Sequence, residues 1–324
     1  MIVYEGEYTD SIIGKIKRFG VRKCAPLKFE IELQKIFLSQ NKDVFNKVDG
    51  FVSIGGSIFI QIADNVSLDN EIAYYHLINE QMKDKPKYFI GCNFGPYRSE
   101  EYLRKYIEIF DNATDICFRE KYSFELFKSL NNVRVAPDAV FGMKIDNNHI
   151  RSNTVGFSIV PPRDGISETG YFNKYAELVK AYQKKGFEVN LFSFCKEEGD
   201  ENAIESVISL LESQVGINRV YYKGDIDNFL SRYSEMEYMY CGRFHAMILS
   251  MLYNQKLLPV VYSNKMTNVL EDIAYRGKYI HMGDMEDVEV SWALQQIESN
   301  EYDINQQIID AQTQFSALDI FLNT

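Results

Sequence analysis

The chain has 324 residues, 46% of them apolar and 25% charged, with a formal net charge of −11. That length accommodates two domains with separate cores, and the composition is that of a globular protein. A net acidic chain is poorly suited to neutralise the phosphates of nucleic acid, which argues against it as a partner, whereas a small anion needs only a local cationic pocket.

Strand-like and helix-like segments alternate. "VDGFVSIGG" is an apolar run ending in glycines, as a buried parallel strand would be, and "NEIAYYHLINEQMKD" has helical character. "PKYFIGCNFGP" repeats the strand-then-loop design. It is followed by a helix in "EEYLRKYIEIFDNA", a strand in "TDICFRE", a helix in "KYSFELFKSLN" and a strand broken by Pro137 in "VRVAPDAVFGM". The polar "KIDNNHIRSN" predicts a boundary, giving domains of 1–150 and 151–324. The alternation then restarts with "TVGFSIVPPRDG", "FNKYAELVKAYQKKG", "FEVNLFSFC", "DENAIESVISLLES", "IDNFLSRYSEM" and "EYMYCG". A helix from about Arg243 to Tyr253, the strand "KLLPVVY" and a helix over Thr267–Ala274 come next. The tail places Ile304, Ile308, Ala311, Phe315, Leu318 and Leu322 on one stripe, which predicts a single packing helix. The layout is α/β with crossover helices. The basic "GKIKRFGVRKC" has no clean strand before it.

The five cysteines, Cys24, Cys92, Cys117, Cys195 and Cys241, show no C-x-x-C spacing and no clustering with histidine. A reduced protein without a metal site is expected. No apolar run approaches the roughly 18 residues of a membrane span, and "MIVYEGEYTD" lacks the order of a signal peptide. The expectation is a cytoplasmic protein, which a lipid-linked substrate would bring to the membrane surface.

In open α/β sheets ligands bind beyond the carboxyl ends of the strands, where this sequence places its unusual residues. Gly55, Gly56 and Ser57 follow "FVSI" and either form a tight turn or present amides to an anion. Arg119 after "DICF" either grips a carboxylate or phosphate or makes a structural salt bridge, and Asn93 raises a similar choice. Asp138 either caps a turn or works on a proton or a sugar hydroxyl. Tyr97, Tyr102, Tyr106, Tyr122, Tyr171 and Tyr175 are core residues or sugar platforms.

The segment "YMYCGRFHAMILSMLYNQKLLPVVYSNK" is the most informative. Gly242 supplies the turn into a helix whose first turn holds Arg243 and His245. A cation there opposes the helix dipole, a misfit that a bound anion would remove. A lone histidine beside apolar residues is commonly structural, so the place of His245, rather than its identity, makes it a candidate.

The ordered set "FVSIGGSIF", "GCNFGP", "DICFREKYSFELF", "APDAVF" and "CGRFHAMILSMLYNQKLLPVVYSNK" resembles the polysaccharide pyruvyl transferase family. The resemblance implies two Rossmann-like domains facing across a cleft, similar to GT-B type glycosyltransferases. It implies transfer of pyruvate from phosphoenolpyruvate to two hydroxyls of a sugar, or of a lipid-linked saccharide, as a cyclic ketal. It further implies phosphoenolpyruvate contacts at Arg119, Arg243 and His245, with Gly55, Gly56, Ser57, Asp138, Ser263 and Lys265 in matching motifs. Arg119 and Arg243 would hold the two anionic ends, one from each domain. His245 would be the general acid or a phosphate donor, and Asp138 the candidate base. The chemistry calls for no cofactor or metal. Many members open with a strand and an N-x-G-D-like loop, which is not evident here. A GT-B type glycosyltransferase using a nucleotide sugar and a non-catalytic carbohydrate-binding protein are the alternatives.

Overall fold

The computed structural model describes residues 42–61, 68–145 and 152–323. The "GKIKRFGVRKC" stretch, Cys24, His149 and most of the polar boundary segment lie outside the described residues. The chain divides into two compact units. One ends at Ala136 and takes the chain back from Gln314; the other is Pro137–Thr313. The change of unit therefore falls ahead of the expected 150/151. Its physical reason is the turn Ala139–Gly142, whose Phe141 is buried in the core of the second unit.

The first unit contains α1 (Lys42–Lys47), β1 (Phe51–Ile54), α2 (Leu68–Gln81), β2 (Lys87–Cys92), α3 (Glu100–Asp111), β3 (Asp115–Phe118), α4 (Lys121–Phe127) and β4 (Val133–Val135). Its strands form a parallel sheet in the order β1-β2-β3-β4. α3 starts where the Ser99 hydroxyl accepts from the Tyr102 amide at 3.2 Å, with Glu100 and Glu101 favouring the positive end of the helix. Its inner face buries Tyr102, Tyr106, Ile109 and Phe110 against an aromatic core. Phe59 meets Phe110 edge-on at 4.9 Å and Phe94 meets Phe127 at 4.8 Å, a geometry that aromatic quadrupoles favour.

The second unit contains β5 (Thr154–Ser158), α5 (Glu168–Lys184), β6 (Glu188–Ser193), α6 (Asp200–Ser209), β7 (Ile217–Tyr221), α7 (Ile226–Ser234) and β8 (Tyr238–Cys241). It continues with α8 (Phe244–Leu252), β9 (Lys256–Val261), α9 (Asn264–Asp272), β10 (Ile280–His281), α10 (Val290–Ser299) and α11 (Asn305–Ala311). The parallel strands lie in the order β10-β9-β8-β5-β6-β7. Read from β7, this is the doubly wound order of a Rossmann fold, in which the direction of winding reverses between β5 and β8. One face of the sheet packs α5, α6 and α10, and the other packs α7, α8 and α9. The chain ends in α12 (Ser316–Leu322), grouped with the first unit.

Most expected elements are present; besides the short α1 and β10, which the sequence reading did not include, three differences stand out. β7 is an edge strand whose residues are half-buried or exposed, so it has no apolar run to mark it. α10 buries only Ala293 and Ile297, too thin a stripe to stand out. The tail is two helices rather than one: Ile304 and Ala311 are buried with the second unit, while Leu322 is 69% exposed on α12. Tyr102, Tyr106, Tyr171 and Tyr175 are core residues, Tyr97 packs against Phe94, and Tyr122 is exposed. Among the described residues, no helix is long and apolar enough to cross a membrane.

Candidate functional site

In the first unit, the loops after β1, β2 and β3 bring Gly55, Gly56, Ser57, Asn93 and Arg119 together. Parallel pairing sets this: the Arg119 amide donates to Cys92 O at 2.9 Å and the Asn93 amide to Gly56 O at 3.0 Å. The Asn93 carbonyl oxygen accepts from Arg119 Nη2 at 2.6 Å and from Ser57 Oγ at 3.0 Å. A Cβ on Gly56 would lie 2.8 Å from Arg119 Nη1. Glycine at this position is therefore what lets the guanidinium lie against the loop. Arg119 and Asn93 are both buried. What Gly56 makes room for here is Arg119, which follows β3, two strands away from β1.

In the second unit, the winding reversal places the end of β8 beside the end of β5. The Gly242 amide donates to Ser158 O at 2.9 Å, and a Cβ on Gly242 would overlap that carbonyl oxygen. Gly242→Ala is therefore expected to destabilise this unit by about 1–3 kcal/mol, the range for overpacking, read as a lower unfolding midpoint. α8, which starts after this turn, is apolar all round and enclosed on every side but one. Phe244, Ala246, Met247, Ile248, Leu249, Ser250, Met251 and Leu252 are buried, and His245 is its exposed residue.

His245 has a carboxylate partner. Its Nε2 lies 3.7 Å from Asp138 Oδ2, with the imidazole side chain 50% exposed and the carboxylate only 7%. Asp138 also accepts from the Val140 amide at 3.0 Å, capping the Ala139–Gly142 turn. The turn-cap reading of Asp138 is thus observed, and the same carboxylate also faces His245. The imidazole meets the Phe244 ring edge-on at 5.2 Å, so it stands between an aromatic edge and a buried carboxylate while facing outward.

Arg243 is the main departure from expectation. It is the N-cap residue of α8, in extended conformation, and its side chain turns inward with 8% exposure. Nε donates to both carboxylate oxygens of Asp200 at 3.1 Å, Nη2 also donates to Asp200, and Nη1 donates to Glu198. Burial by itself lowers its pKa, but these hydrogen bonds hold it above the ordinary value. The expectation that this cation waits for an external anion is corrected: the chain supplies two carboxylates. Asp200, fully buried, also accepts from the Phe194 and Cys195 amides at 3.0 Å each. Glu198, in contrast, has a 59% exposed side chain.

Lys265 and Arg163 complete the neighbourhood. Lys265 Nζ lies 5.8 Å from the Phe244 ring centre and 5.2 Å from that of Tyr262, while Arg163 lies 4.9 Å from the same tyrosine ring. Ser263 stands at the N-cap of α9 without capping it, and its hydroxyl oxygen is buried with no hydrogen-bond partner among the described residues. Lys265 is thus placed beside Phe244 at the start of α8. Asp200, Glu198, Arg163 and Tyr262 were missed. The acidic "EEGD" after β6 was the available signal, but an acidic residue at the start of a helix ordinarily reads as dipole compensation.

The model of the polysaccharide pyruvyl transferase family matches residues 11–264. The amylovoran biosynthesis protein AmsJ of Erwinia amylovora is 20% identical over 304 residues, covering 83% of this chain and 71% of that protein. A UDP-GlcNAc 2-epimerase from Methanocaldococcus jannaschii shares the fold at a TM-score of 0.57 and 8% identity, covering 90% of this chain and 81% of that one. Staphylococcus aureus MnaA in complex with UDP has a TM-score of 0.56 at 13% identity, with 86% and 75% covered. A putative UDP-N-acetylglucosamine 2-epimerase from Listeria monocytogenes has 0.54 at 11%, with 90% and 80% covered. At such identities the likeness shows a shared architecture, two Rossmann-like domains of the GT-B type, and no shared chemistry.

Proposed function

Because the chain belongs to the polysaccharide pyruvyl transferase family, we propose that it moves pyruvate from phosphoenolpyruvate onto two hydroxyls of a saccharide, forming a cyclic ketal. The observation that carries this reading is the exposed His245 backed at 3.7 Å by the buried Asp138, at the point where the second sheet reverses its winding. The similarity to a biosynthesis protein for amylovoran supports a polysaccharide setting.

The reaction needs a proton on the methylene carbon of the donor, which makes the adjacent carbon electrophilic. The first hydroxyl adds to that carbon and releases its proton. The bond from that carbon to the phosphate oxygen then breaks, and the second hydroxyl closes the ketal. Its proton leaves with phosphate. His245 as imidazolium delivers the first proton and as imidazole takes up one from a hydroxyl. Asp138 stabilises the imidazolium and fixes the ring, because its buried, turn-capping carboxylate is better placed to hold His245 than to reach a sugar hydroxyl itself. Lys265, with the amides opening α9 and the Ser263 hydroxyl, supplies positive potential for the departing phosphate. Arg119, ordered by Asn93 and the Gly55–Ser57 loop, is a further substrate contact in this reading.

The acceptor is a saccharide, free or lipid-linked; a lipid-linked one would bring the chain to the membrane surface. Phosphoenolpyruvate as donor puts the reaction in the cytoplasm. Incubating the purified chain with phosphoenolpyruvate and a panel of saccharides is expected to release phosphate only when an acceptor is present, with the acceptor gaining the mass of a pyruvate ketal. Turnover of a nucleotide sugar with no consumption of phosphoenolpyruvate would overturn the proposal.

A further inference from the structure

Arg243 is held by two carboxylates of different character. Asp200 is fully buried and carries two backbone amides besides the guanidinium. Glu198 stands on the loop just before it, mostly exposed, with its carboxylate on Nη1. It makes no other hydrogen bond among the described residues and sits beside Gly199, whose φ of +87 marks a sharp turn in that loop. The inner carboxylate is fixed by burial and hydrogen bonds, and the outer one is held from the solvent side by Arg243.

The surroundings of Glu198 are cationic. Burial raises its pKa, but the hydrogen bond and charge of Arg243, then the charges of Lys265 and Arg163, bring it below the ordinary carboxylate value. Neither Lys265 nor Arg163 makes an ion pair among the described residues; each rests on an aromatic ring instead. Three cations therefore face two carboxylates, and one of those two is exposed. Withdrawing Glu198 from the group would free Arg243 Nη1, and the charges of Lys265 and Arg163 that act on the Glu198 carboxylate would act on an anion taking its place.

We propose that Glu198 occupies the oxyanion position of the ligand in this site, and that an incoming carboxylate or phosphate displaces it from Arg243. Glu198 is then a built-in competitor that sets the affinity for anions, while Asp200 keeps the guanidinium aimed. The assignment rests on the preceding functional reading for the identity of the donor, though not for the existence of the anion position.

Binding to the full chain by calorimetry tests this, with phosphoenolpyruvate, inorganic phosphate and pyruvate as separate probes. Glu198→Gln keeps the size of the side chain and removes its charge, and is expected to tighten at least one probe by about tenfold, the effect of one charge-assisted hydrogen bond. Glu197→Gln on the same loop should leave all three unchanged, and adding Lys265→Met to Glu198→Gln should cancel the gain. A gain for pyruvate would place the carboxylate end of the donor at Arg243, and a gain for phosphate would place the phosphate end there; either supports the proposal. No gain for any probe, an equal gain from Glu197→Gln, or anion binding undetectable in both wild type and variant would overturn it. Tighter phosphate binding without pyruvyl transfer would leave the displacement of Glu198 standing and remove the functional reading. Transfer activity with unaltered affinity in Glu198→Gln would do the reverse. Thermal unfolding checks that the variant folds, and Glu198→Ser provides a second charge-free side chain on the same test.

Discussion

Asp200→Ala is expected to destabilise the Pro137–Thr313 unit by about 3–5 kcal/mol, the cost of leaving one member of a buried ion pair uncompensated. Three losses coincide. The Arg243 guanidinium, on a buried side chain, loses its bidentate partner, and the Phe194 and Cys195 amides lose their shared acceptor. Glu198 cannot substitute, because it reaches only Nη1 and lies largely in solvent. Urea denaturation followed by tryptophan and far-ultraviolet signals would measure the change. Glu198→Ala makes the contrast: an exposed ion pair contributes about 0–1 kcal/mol, so this variant should unfold close to wild type. A loss below about 1 kcal/mol in Asp200→Ala would mean that Arg243 finds its compensation elsewhere.

Replacing His245 with asparagine should act on turnover and leave stability alone. The imidazole is half exposed on an otherwise buried helix, so its removal opens no cavity, and surface changes of this kind stay within about 0.5 kcal/mol. If His245 moves the protons in ketal formation, kcat should fall by about 10²–10⁴-fold, the usual contribution of a positioned acid–base group. Asp138→Asn should lower kcat less, with KM nearly unchanged, because Asp138 acts through the imidazole. Steady-state phosphate release at saturating acceptor is the measurement. Full activity in His245→Asn would remove the histidine from the chemistry.

The strands after which the site residues sit were legible because they are short apolar runs: "FVSI" closed by Gly55, "DICF" ended by the charged pair Arg119 and Glu120, "YMYC" closed by Gly242. Burial on both faces in a parallel sheet writes itself into "DICF" and "YMYC", which are buried throughout, whereas "FVSI" is apolar although β1 is an edge strand with Val52 and Ile54 exposed. β7 was not legible for the same reason in reverse, since an edge strand half open to solvent needs no continuous apolar content. The tail shows the limit of periodicity. A stripe from Ile304 to Leu322 fits one helix, yet the chain changes unit at Thr313–Gln314, where the Gln314 side chain donates to Ala136 O at 2.7 Å. Hydrogen-bonded polar burial of this kind leaves no apolar pattern.

Local sequence by itself determined that Gly242 ends a strand, that α8 follows, and that a histidine and an arginine mark its start, because turn chemistry and apolar content act over a few neighbouring residues. Only the tertiary structure decided what those two side chains meet. Asp138 lies 107 positions before His245 and Asp200 lies 43 before Arg243. Their proximity depends on strand order, which sets β8 beside β5 and β5 beside β6. Strand order is a property of how the whole sheet winds and buries its two faces, so no window of the sequence contains it. That is why Arg243 reads as an open cation along the chain and is a neutralised one in the fold.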